Sequence, residues 1–162
     1  MKPYEAVTGH TGGISREHVQ RLLSGEHPHK LIRDIYRRTP FAPAVVTHPE
    51  VTHLASWEDL RQTSLEFSNC LRSFLDEAVR GTHQFYVWRP KDGEPAVFQL
   101  NSDGPFGWYL AEVKRAENEN LDEEAYLRLR ALLKGAESIA IFKLRASCIG
   151  SHGSRMMTMM MV

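Results

Sequence analysis

Apolar residues recur at helical spacing in some segments of this chain and alternate in others, and the two periods divide it into elements. Ser15 can cap a short helix running to about Leu23 and stopped by Ser24-Gly25. Pro28 suits the first turn of a second helix, in which Leu31, Ile32, Ile35 and Tyr36 form one apolar stripe while Lys30, Arg33, Arg37 and Arg38 point elsewhere. Pro40, Pro43 and Pro49 make residues 39–55 read as an extended connector. Ser56 with Asp59 three positions on resembles a capping box. Leu60, Phe67, Leu71, Phe74, Leu75 and Ala78 then recur at helical spacing until Gly81, which predicts one long helix as the spine of the core.

Three strand-like runs follow, Gln84 to Trp88, Ala96 to Leu100 and Gly107 to Val113. They are separated by Lys91-Asp92-Gly93-Glu94 and Asn101-Ser102-Asp103-Gly104, both of which carry Asp-Gly turn chemistry. Leu121 to Leu133 predicts a further amphipathic helix with acidic residues in its first turn and Gly135 at its end. Ser138 to Leu144 is apolar enough for a last short strand. The expected fold is α+β: a long helix on a three-stranded antiparallel meander, then a helix and a strand. Residues 1–55 form an N-terminal helical appendage and connector, 56–145 the core domain, and 146–162 a flexible tail. In that tail Gly150-Ser151-His152-Gly153-Ser154 resembles a linker or vector scar, and the Met cluster that follows has too few neighbours to pack.

With 162 residues, 42% hydrophobic and 25% charged, the chain suits one globular domain. Its formal net charge is zero, so no global field draws it to nucleic acid or an anionic membrane. Attraction to an anionic partner must come from a local patch, and Lys30, Arg33, Arg37 and Arg38 are the candidate. No window approaches the ~20 apolar residues of a membrane helix and no signal peptide opens the chain, which predicts a cytoplasmic protein without a membrane partner. The two cysteines, Cys70 and Cys148, suit a reducing compartment, and Cys70 reads as a small buried hydrophobe.

Several constellations carry chemistry. His27, His29, His48 and His53 invite zinc, but no finger spacing accompanies them. Cys70 and His83 would make a thiolate-imidazole pair if the first strand folded back beside the helix. Trp57, Trp88 and Trp108, with Tyr86 and Tyr109, offer either stacking surfaces or core packing.

The order helix, three strands, helix, strand resembles the core of the PD-(D/E)xK nuclease superfamily. That resemblance implies a magnesium site made by Asp103 and Glu112, with Lys114 beside the attacking water and Glu66 as an additional carboxylate. Glu112 and Lys114, two apart on a strand, share a face.

A second resemblance runs from about Trp57 to Asn118. Asn69-Cys70, Ser73-Phe74, Gly81, Tyr86, Phe98-Gln99-Leu100, Trp108, Glu112-Val113-Lys114-Arg115 and Asn118 follow the ordered landmarks of the PcfJ-like family of mobile-element proteins. Asn69 stands where that family carries His, Glu112 where it carries Gln, and Arg115 where it carries Gly. The resemblance implies an accessory protein that binds a protein or nucleic acid of a mobile element without cofactor, with Asn69, Cys70 and Trp108 among the binding residues and no established chemistry.

Overall fold

The computed structural model describes residues 15–102 and 107–135. The lead-in, Asp103, the expected last strand at 138–144 and the Met-rich tail lie outside the described residues. Among those described, the fold is α+β, with a four-stranded antiparallel sheet of order β1-β2-β3-β4 formed by Val51–His53, His83–Trp88, Ala96–Ser102 and Trp108–Lys114.

The central strand β2 explains the layering. Gln84 to Trp88 are all buried, so neither face of this strand is left to water. Tyr86 and Trp88 point to one side, where Ala96, Phe98, Leu100, Leu110 and Val113 join them. Helix α5 (Glu123–Lys134) covers that side with Tyr126, Leu129 and Leu133, and Asp122 caps it by accepting from the Ala125 amide at 2.8 Å. Phe85 and Val87 point to the opposite side, with Val97 beside them. There helix α3 (Trp57–Glu66), a 3-10 turn (Leu71–Phe74) and helix α4 (Leu75–Val79) bring Leu60, Phe67, Leu71 and Ala78.

The expected single helix from Ser56 to Gly81 is therefore broken. Ser56 caps α3 as foreseen, accepting from the Asp59 amide at 3.2 Å, but the helix stops at Glu66. Ser68 takes a left-handed φ of 49°, and the buried Ser64 hydroxyl donates to the Asn69 carbonyl at 2.6 Å while the Ser64 carbonyl accepts from the Asn69 amide at 3.1 Å. The Asn69 side chain then accepts from the Leu71 amide at 3.1 Å, so short polar side chains satisfy the backbone where the helix would have continued. Gly81, at φ 69°, closes α4 in the conformation that favours glycine.

The connector also does more than its prolines suggest. Val51 to His53 pairs antiparallel with Tyr86 to Trp88 as β1, and the Leu54 amide donates to the Phe85 carbonyl at 2.9 Å. The Tyr86 hydroxyl accepts from the Val45 amide at 2.9 Å and donates to Gln84, whose amide nitrogen donates to the Pro43 carbonyl at 2.7 Å. The connector is thus bonded to side chains of β2 at Pro43, Val45 and Val46 and to its backbone from Val51 to Leu54.

Helix α2 (Pro28–Arg38) packs Leu31, Ile35 and Tyr36 on Leu75 and Val79 of α4, with Trp57 alongside. Helix α1 (Arg16–Leu23) buries no residue. Arg21 joins it to α2, donating to Glu26 at 2.6 and 2.8 Å and to Asp34 at 2.7 Å. Both carboxyl groups are held below their ordinary values, chiefly by these hydrogen bonds.

Two predictions follow from this packing. Leu129 is fully buried beneath the sheet, so Leu129→Ala should cost about 2–5 kcal/mol, read as a lowered denaturant midpoint at unchanged slope. Because the carboxyl groups of Glu26 and Asp34 are depressed in the folded state, their contribution is complete above the ordinary values of 4.5 and 3.8 and fades as pH falls through the folded ones. Helix α1 should therefore lose amide protection on acidification before the sheet does, and Arg21→Met should remove that pH dependence.

Candidate functional site

Strand β4 is re-aimed midway. Gln99 pairs with Glu112 and Leu100 with Leu110, leaving Ala111 as the extra residue of a β-bulge. Without it, Leu110 and Glu112 would face the same side. With it, Leu110 and Val113 both enter the core under α5, and Glu112 and Lys114 turn to the opposite face, across from Gln99.

That face is where the helical cover ends. The broken segment lays Asn69, Cys70, Leu71 and Phe74 against one side of an open depression of about 350 Å³. Phe85 and Val97 form its apolar floor, and Gln99, Glu112, Lys114 and Asn118 form its polar wall. The Lys114 ammonium donates to the Asn120 side chain at 2.6 Å and lies 3.9 Å from Glu112. Gln99 donates to the Asn101 side chain at 2.6 Å. The Glu112 side chain is about half exposed (51%), so its carboxylate meets solvent at the mouth.

Two strained segments border the depression. Glu117 and Asn118 have φ of 55° and 60°, and Ser68 has 49°. The two segments are tied, since the Glu117 amide donates to the Phe67 carbonyl at 2.8 Å and satisfies the end of α3. Left-handed non-glycine residues cost roughly 1–2 kcal/mol each, a cost that surrounding contacts must offset.

The remaining expected residues are distributed as follows. Cys70 is exposed, correcting its expected burial, because the helix break lifts it out of the core stripe. No hydrogen bond joins it to His83, whose ring faces Phe74 and Phe85 at 6.4 and 6.3 Å and whose Nδ1 lies 3.0 Å from the Thr82 hydroxyl. Burial lowers the His83 pKa. Trp108 is half-buried against the core beneath α5 rather than in the depression. Trp88 is fully buried, donating to Glu50 at 3.2 Å, and serves as packing.

Glu66 does not join Glu112. It receives Arg89 at 2.7 Å and lines a second depression of about 850 Å³ with Phe67, Glu94, Arg115, Glu117 and Glu119. With Asp103 outside the described residues, Glu112 is the one expected magnesium ligand in the first depression. No group of three or more His, Cys, Asp or Glu side chains is arranged to hold a metal among the described residues. His27 and His29 stack on each other at 5.2 Å, and His53 lies on Tyr86 at 5.0 Å. Gln99 and Phe74 are members of the depression that sequence reasoning placed only as landmarks. Their inclusion needed the bulge and the helix break.

No protein-family model, curated protein or solved structure matches this chain.

Glycine relieves left-handed strain at a smaller cost in chain entropy, so Ser68→Gly should stabilise the fold by about 0.5–1 kcal/mol. Equilibrium urea unfolding would register this as a raised midpoint.

Proposed function

We propose that the protein is a non-catalytic interaction module of a mobile genetic element that recognises a protein partner at the Asn69–Glu112 depression. The observation that carries this reading is a convergence. Seven of the residues through which the chain resembles the PcfJ-like family, Asn69, Cys70, Phe74, Gln99, Glu112, Lys114 and Asn118, come from separate elements and connections and line one concavity, while Tyr86, Phe98, Leu100 and Trp108 pack on the other side of the sheet. An apolar floor with a ring of amides and one charge of each sign suits a partner side chain that is apolar at its tip and polar where it joins the backbone.

A second reading retains one observation in its favour. Glu112 and Lys114 project from the same strand face into that depression, as the nuclease resemblance requires of its Glu-x-Lys. It implies magnesium held by Glu112 and Asp103.

Filling the depression separates the two from each other and from neither. Cys70→Trp should abolish specific capture of a partner by the immobilised protein while leaving its unfolding midpoint within about 0.5 kcal/mol of the parent, as expected of an exposed site. Identical capture by both proteins would defeat the interaction reading. Magnesium- or manganese-dependent cutting of plasmid or single-stranded DNA, lost in both Glu112→Ala and Lys114→Ala, would replace it with the nuclease reading.

A further inference from the structure

Helix α2 carries a second, separate surface. Leu31, Ile35 and Tyr36 are buried and Ile32 is packed beside them, so the opposite side of the helix faces water. Lys30, Arg33 and Arg37 recur there at i, i+3 and i+7, and Arg38 flanks them. All four are exposed.

Such a row is ordinarily balanced by nearby acids, and here most of those acids are hydrogen-bonded to other groups. Arg21 takes both Glu26 and Asp34. On α3, Arg61 takes Glu58 at 2.7 Å and Asp59 is engaged by Ser56 and the Ala55 amide. On α4, Arg80 lies 3.6 Å from Asp76. Glu66 at the end of α3 takes Arg89 at 2.7 Å, and Glu17 on α1 and the half-buried Glu77 on α4 are the remaining acids of the elements packed against α2. Lys30, Arg33 and Arg38 form no ion pair with any described residue. Arg37 keeps a long contact of 3.9 Å to Asp34, and its guanidinium lies over the Trp57 ring at 5.2 Å, which fixes its direction. A neutral chain has therefore concentrated cations on one helix anchored by its own apolar face, and Glu26 and Asp34, both bonded to Arg21, offset them only in part.

We infer that this face of α2 binds the phosphodiester backbone of a nucleic acid. Lys30 and Arg37 are separated by about 10 Å along the helix axis at the α-helical rise, a span of about three steps of 3.4 Å along one nucleic-acid strand. Arginine and lysine contacts of this kind position a nucleic acid without reading its sequence. A lipid surface fits less well. An interfacial helix presents apolar residues beside its cations, whereas those of α2 are turned inward. The exposed Val19, Leu22 and Leu23 of α1 centre about 150° around that helix from Arg21, the residue that holds it to α2, so this stripe turns away from the basic row.

The test is fluorescence anisotropy of the full chain with a labelled DNA duplex and the matching single strand across salt concentrations. Three phosphate contacts on the duplex predict a log-log salt slope of about −2.7, a loss of about 40-fold between about 50 and 200 mM salt. Lys30→Ala and Arg33→Ala should each reduce the slope by about one, with Arg33→Lys retaining it. None of these exposed substitutions should shift the unfolding midpoint. Absence of binding at about 50 mM salt, slopes unchanged by the alanine variants, or equal binding to poly-glutamate or to phosphatidylserine vesicles would each overturn the inference.

Discussion

Strand β2 sets the constraint on which the rest of the molecule depends. A strand buried on both faces needs two covering layers, and a chain of this size must supply both from few elements. Helix α5 forms one cover, and the sequence between β1 and β2 folds into the other. The latter has to span a twisted surface while remaining in contact with Phe85, Val87 and Val97. The interruption at Phe67–Cys70 divides this cover into α3, a 3-10 turn and α4, which between them bring Leu60, Phe67, Leu71 and Ala78 to the sheet. What looks locally like a defect in a helix serves the packing of the sheet.

That geometry leaves polar chemistry at the margin. Cover on the α3 side reaches Val97 but not Gln99, and beyond this limit Glu112 and Lys114 occupy the same sheet face. The bulge at Ala111 is needed for this arrangement as well as for the core, since one extra residue sends Val113 inward and its two neighbours outward together. Core packing and the composition of the depression are consequently set by a single irregularity in β4.

Much of this architecture was legible in the pattern of residues. Ser15, Pro28, Ser56 and Gly81 occupy the capping and terminating positions expected of them, and β2, β3 and β4 fall within two residues of their expected bounds, whereas the last described helix starts at Glu123 under an Asp122 cap and not at Leu121. The break in the central helix was hidden because Phe67, Leu71 and Leu75 continue a helical period across it. The signal lay in Ser64, Ser68 and Asn69, whose side chains compete with backbone hydrogen bonds. β1 was hidden at the end of a proline-rich connector, because a three-residue strand paired along one edge leaves almost no periodicity to detect. The shared face of Glu112 and Lys114 was visible from spacing alone. Their meeting with Asn69 and Cys70 depended on the break and the bulge, both of which are tertiary outcomes.

The brevity of β1 matters for how the protein behaves among its own copies. An edge strand offers its outer amides and carbonyls to any extended chain that passes, and a long flat one invites stacking of sheets into aggregates. Val51 to His53 presents three residues, with Pro49 just before it, and the Leu54 amide that follows points inward to the Phe85 carbonyl of β2. An incoming strand would find too short a ladder to hold, so on this side the sheet ends in a border that resists further growth.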